Sequence, residues 1–178
     1  MDWLKQIFDK LLSFIPRIWL MSPNEAGVRI TLGKYVKDVE AGWYIYLPMI
    51  QEIQAIVITP QIVDLKSQSV ITKDGKDLCI SGAIMYRVRD ASLSILKVHD
   101  YDESIRTLSL GIIAEYTSRH DFISCRDLEA ITDWVLKGIK ENARGWGLDI
   151  MKVFITDIGT TRNLRLLTDL IRTPLQQI

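Results

Sequence analysis

The sequence predicts an α+β domain, and three observations predict it. Short alternating segments fill the first half of the chain. After Ala91 the apolar spacing changes to three and four. A last alternating segment then runs from Leu148 to Ile158. Strands first, helices next and a returning strand describe a mainly antiparallel sheet with helices packed on it. The 178 residues suffice for one domain with a real core plus an appendage. The expected division is 1–22 as an amphipathic membrane-associating helix, 23–158 as the domain, and 159–178 as a short C-terminal helix and tail.

The first twenty residues carry a divided helical wheel. Trp3, Leu4, Ile7, Phe8, Leu11, Leu12, Phe14, Ile15, Ile18 and Trp19 fall on one half. Asp2, Lys5, Gln6, Asp9, Lys10, Ser13, Pro16 and Arg17 fall on the other. Such a face must lie on a protein core or on a membrane interface. Tryptophans near both ends favour the membrane, so the ten apolar residues are the expected membrane contacts. Pro16 should bend the helix, and Ser22-Pro23-Asn24 should end it.

Beyond that break, Val28, Ile30 and Leu32 alternate with polar residues as a short strand ended by Gly33. The segment from Lys34 to Glu40 reads as a polar connection. "GWYIYLPMI" is a strand stopped at Pro48, and Gln51 to Thr59 is another. "VITKDGKDLCISGAIMYRVRD", from Val70, is a strand pair around Asp74-Gly75. Its second strand places Leu78, Ile80, Gly82, Ile84, Tyr86 and Val88 on one face. A short helix follows near Leu93, and Tyr101 to Arg119 is a longer one. Ser124 is the expected cap of a third helix with a buried stripe of Leu128, Ile131, Trp134, Val135 and Ile139. Gly145-Trp146-Gly147 ends it. A final helix from Thr161 would carry Leu164, Leu167, Leu170 and Ile171 on one face, the expected oligomer interface.

Composition narrows the function. Lys+Arg and Asp+Glu both number 22, and this balance argues against a nucleic-acid partner. No apolar run reaches the ~20 residues of a membrane-spanning helix, and the start lacks the pattern of a signal peptide. Cys79 and Cys125 fit neither a disulfide framework nor a zinc spacing, and both read as small buried thiols. His99 and His120 stand on different elements without a metal-ligand pattern. Cys125 with His120 announces no oxyanion site, and no phosphate-cradling glycine loop is present. No catalytic, cofactor-binding or metal-ligating set is expected.

Five segments together carry a resemblance: "RITLGKY", "AGWYIYLPMIQEI", "QSVITKDG", "SGAIMYRVRDA" and "RGWGLDIMKVFITDI". Their order and spacing resemble the stomatin–prohibitin–flotillin (SPFH, or band 7) family, most closely its stomatin-like branch, over Ala26 to Ile158. The resemblance implies a non-enzymatic scaffold that sits on a membrane, assembles into rings or cages and organises membrane patches. It also implies membrane-protein partners, such as channels or membrane-bound proteases. Two departures stand out. The N-terminal stretch implies an interfacial or re-entrant anchor, peripheral or monotopic and on the cytoplasmic side, rather than a spanning one. The short helical stretch after Thr160 implies a ring or shallow assembly. The competing reading is a soluble regulatory module whose N-terminal helix docks on a partner protein.

Overall fold

The computed structural model describes residues 15–160. The strands in chain order are β1 (Arg17–Met21), β2 (Glu25–Thr31), β3 (Tyr35–Val39), β4 (Gly42–Tyr46), β5 (Gln51–Val57), β6 (Gln61–Ile71), β7 (Asp77–Val88) and β8 (Leu148–Thr160). Between β7 and β8 lie α1 (Ala91–Lys97), α2 (Tyr101–Arg119) and α3 (Leu128–Asn142). The α+β class holds. The described residues form two units. One holds the chain up to Pro60 with Arg87–His99 and Gly145–Leu148. The other holds Gln61–Tyr86, Asp100–Arg144 and the chain from Asp149.

In the first unit, β1 pairs antiparallel with β4 as a two-stranded ribbon. A second sheet has the order β3-β2-β5, with both pairings antiparallel. The β2–β3 turn uses positive φ at two successive residues, Leu32 (53°) and Gly33 (65°), closed by Lys34 N donating to the Thr31 carbonyl at 3.1 Å. Leucine rarely adopts that region. Here its amide donates to the Ile50 carbonyl at 2.7 Å, which holds the turn. Asp90 caps α1 by accepting from Leu93 N at 2.9 Å. Met21, Val28 and Val39 are buried.

In the second unit the sheet order is β6-β7-β8, and β6 pairs antiparallel with β7 across a register shift between Leu65 and Gln68. Leu78, Ile80, Gly82, Ile84 and Tyr86 are buried as their alternation predicts. Helix α2 packs on β6 and on α3. Gly138 allows the helices to approach, since a Cβ there would stand 3.0 Å from Ile112 side-chain atoms. Ile105, Ile113, Ile131, Val135 and Ile139 fill the core between them.

Four expectations are corrected. Arg17–Met21 is a strand, so helix does not continue through Ile18 and Trp19. Pro16 lacks the amide that helix needs, and the aromatic and branched residues after it instead find ladder partners on β4. Residues 1–14 and 161–178, with their expected helices, lie outside the described residues. The supposed polar connection contains β3. It is an edge strand, paired on one side only, with four of its five residues exposed and Val39 buried. The cap of α3 is Asp127, which accepts from Ala130 N at 3.2 Å, while Ser124 opens a short 3₁₀ turn. Leu128 and Trp134 lie at the margin of the α3 stripe rather than inside it.

Candidate functional site

The β1–β4 ribbon has one face built of large apolar side chains in water. Register places Ile18 opposite Ile45 and Leu20 opposite Trp43. Directly paired antiparallel residues point to the same side, so the four side chains form one contiguous block. Their exposures are 67%, 68%, 57% and 74%. The other face turns inward: Met21 is buried, and Trp19 meets Tyr46 edge-on with ring centroids 6.2 Å apart. Single exposed apolar residues are ordinary, but a continuous block of this kind marks a surface that meets another apolar phase. Full removal of each side chain from water is worth about 1.5–3 kcal/mol.

Of the ten predicted membrane contacts, Ile15 and Ile18 are exposed, whereas Trp19 is turned onto Tyr46. Trp3, Leu4, Ile7, Phe8, Leu11, Leu12 and Phe14 lie outside the described residues, as do Leu164, Leu167, Leu170 and Ile171. Leu20, Trp43 and Ile45 were not anticipated. For Trp43 and Ile45 the sequence signal is that "GWYIY" has no charged face. A strand in a two-stranded ribbon cannot bury both faces.

The second structured feature is the β6–β7 turn. The Thr72 hydroxyl donates to Asp74 Oδ1 at 2.6 Å and accepts from Lys76 N at 3.1 Å. Asp74 Oδ1 also accepts from Phe122 N at 3.0 Å, and Lys73 N donates to the His120 carbonyl at 3.0 Å. Lys76 Nζ lies 4.7 Å from the centroid of the Phe122 ring. The turn is thus pinned to the segment after α2. The Thr72 hydrogen bond, and then the Phe122 amide, hold the Asp74 carboxyl below its usual range.

His120, whose carbonyl takes the Lys73 amide, and Cys125 lie beside this turn. Cys125 is fully buried, with its Sγ 3.8 Å from the His120 carbonyl oxygen. Burial first, then Asp74 and Asp121, push its thiol up, away from the thiolate that nucleophilic chemistry needs. The His120 ring stacks on Tyr116 at 4.0 Å, and its Nδ1 lies 2.8 Å from the Tyr116 carbonyl. The thiol therefore meets the backbone of His120, whereas the imidazole contacts Tyr116 and Trp134. His99 is exposed and Cys79 half-buried. The Tyr86 hydroxyl donates to Asp102 in the first turn of α2; burial first, then that bond, drives its pKa up. Among the described residues no three His, Cys, Asp or Glu side chains are grouped to hold a metal, and no helix is long and apolar enough to cross a membrane.

Comparison with known proteins adds a family. The model described as "SPFH domain / Band 7 family" matches residues 20–165. An uncharacterized protein of Methanothermobacter thermautotrophicus is 29% identical over 146 residues, 78% of this chain and 44% of its own. An uncharacterized protein of Methanocaldococcus jannaschii is 24% identical over 166 residues, 92% of this chain and 82% of its own. Stomatin of Mus musculus is 22% identical over 158 residues, 85% of this chain and 56% of stomatin. The chain thus spans less than half of the first relative and little more than half of stomatin.

Proposed function

This chain belongs to the SPFH domain / Band 7 family, and from that premise we propose that it is a non-enzymatic, membrane-associated scaffold that homo-oligomerises on a membrane. In this reading it attaches from the cytoplasmic side without spanning and assembles as a ring or shallow cage. It would organise a lipid patch or regulate neighbouring membrane proteins. The observation that carries the reading is the exposed block of Ile18, Leu20, Trp43 and Ile45. Lipid would cover these side chains, with Trp43 at the headgroup level that tryptophan favours. The amphipathic helical spacing of the residues before Pro16 supports the same reading.

The ribbon gives the direct test. Trp43→Asp with Ile45→Asp puts two charges at the centre of the block while leaving the inward Tyr44 and Tyr46 unchanged. The expected outcome is loss of most flotation with phosphatidylcholine vesicles, with far-ultraviolet circular dichroism preserved. A folded double variant that floats as well as the parent removes the ribbon from the membrane. A parent that ignores protein-free vesicles favours the alternative, a module whose apolar surfaces dock on a partner protein.

A further inference from the structure

Register on the second sheet of the first unit puts two cations face to face. Arg29 on β2 stands directly opposite Lys37 on β3, in a pairing without register shifts. Like charges placed so destabilise a sheet unless something of opposite sign joins them. The period of two assigns Gly27, Arg29 and Thr31 to one face of β2. Lys37, with Tyr35, lies on that face of β3, and Ile53, with Gln51, on that face of β5. The carboxylates nearby are on the other face, because Asp38 pairs with Val28 and Glu52 with Ile30. Glu25 shares the face of Arg29 but lies four residues along the strand, roughly 13 Å away. Its Oε2 accepts from Ser22 N.

Arg29 adds a second, independent sign. Its Nε is buried and has no hydrogen-bond partner among the described residues. Buried donors are nearly always paired, because leaving one unmade forfeits its hydration with no return. The polar side chains on the same face bond elsewhere: Gln51 Nε2 donates to Thr31 Oγ1 at 3.5 Å, and Gln51 Oε1 accepts from Leu47 N at 3.1 Å. A third cation, Lys34, lies at the end of the same hairpin, with its Nζ 5.7 Å from the Tyr35 ring centroid.

We infer that the Arg29–Lys37 face is a binding site for a phosphate ester, supplied by the headgroup of an anionic membrane lipid. A planar guanidinium fork beside a point-charge ammonium suits a phosphate with several acceptor oxygens. The lipid as source rests on the membrane reading above, because the same unit carries the apolar ribbon. The phosphate chemistry does not rest on it.

The experiment compares full-length parent, Arg29→Gln, Arg29→Lys, Lys37→Gln and the charge-matched control Lys66→Gln. Each is titrated with vesicles of phosphatidylcholine alone and of phosphatidylcholine mixed with phosphatidic acid. Thermal unfolding is also followed with and without inorganic phosphate. The parent should bind the mixed vesicles more tightly. Arg29→Gln and Lys37→Gln should each lower that gain about fivefold, the worth of one basic residue near an anionic surface. Arg29→Lys should lose most of it despite keeping its charge, and Lys66→Gln should lose none. Lys37 is exposed, so its variant tests the site even if Arg29→Gln fails to fold. Equal losses in Lys66→Gln and Lys37→Gln overturn the site in favour of diffuse surface charge. Absence of any gain, together with no effect of inorganic phosphate, overturns it outright. Protection by phosphate in the parent but not in Arg29→Gln, without vesicle discrimination, overturns the lipid source and keeps the site for a free phosphate ester. The same protection in a parent that binds neither kind of vesicle sinks the membrane reading and leaves the site standing.

Discussion

Asp74 shows how much one turn residue can hold. Its Oδ1 accepts from Thr72 and from the Phe122 amide, and so ties the tip of the β6–β7 hairpin to the chain beyond α2. These bonds favour the charged form, so the folded pKa lies below the ordinary 3.8. The sign follows from linkage. The stabilisation is complete above the unfolded-state value and is lost as pH falls through the lowered folded value. Asp74→Asn should therefore lower Tm by a constant amount from neutral to mildly acidic pH, and the gap to the parent should close in strong acid. Thermal scans across that range check it, and a gap that widens in acid contradicts the assignment. Thr72 is buried, and its hydroxyl also serves the Lys76 amide. Thr72→Val should cost about 1–3 kcal/mol, read from urea midpoints. The sequence marked Asp74-Gly75 as a turn, but not its docking on Phe122. A contact 48 residues away leaves no local pattern.

Elements differ in how plainly the sequence announces them, and the difference is one of neighbours. Strand β7 is central in its sheet, and one of its faces is buried, so alternation and burial coincide from Leu78 to Tyr86 except at Ala83, which is buried on the other face. Strand β3 lies at a sheet edge with four exposed residues of five, and its composition resembles a loop. Strand β1 misleads more deeply. Arg17–Met21 continues a helical apolar period, and only the partner β4, more than twenty residues later, makes it a strand. The apolar ribbon was illegible for the same reason, since exposure depends on what covers a face. The glycines after α3 were legible as a helix stop, and the structure separates their roles. Gly145 has φ +89° with open space around it. Gly147 has φ +76°, and a Cβ there would stand 2.3 Å from the Asp90 carbonyl oxygen. Its own carbonyl accepts from the Arg89 and Asp90 amides. Gly145→Ala should cost about 1–2 kcal/mol from the left-handed backbone alone. Gly147→Ala should cost clearly more, because the backbone of Asp90 must also move. Equal urea midpoints for the two variants would show that the close approach is relieved without cost.

At the scale of the whole molecule, the surfaces left open must be reconciled with a chain that stays folded and in solution or on a membrane. A closed head-to-tail homo-oligomer makes every interface identical and leaves no unmatched end. Repetition would also multiply weak lipid contacts, since each added copy converts membrane binding into an intramolecular event. The segment after Thr160 is the proposed link between subunits. Leu164, Leu167, Leu170 and Ile171 follow helical spacing, and such a stripe needs cover. It follows directly on β8, which runs to Thr160, two residues beyond the Ile158 end expected from sequence. Arg162, Arg165 and Arg172 fall on the opposite side of the same helical wheel, which leaves the stripe itself uncharged. The measurement is the particle mass after detergent extraction for the parent and for Leu167→Asp with Leu170→Asp. The parent should run as one multi-subunit species, and the double variant should fall to smaller particles while its Tm stays near the parent value. A drop in Tm without a change in mass would instead place the stripe on its own domain. A parent that is monomeric at micromolar concentration, in detergent and in lipid alike, would end the scaffold reading, because a lone subunit has no means of enclosing a membrane patch.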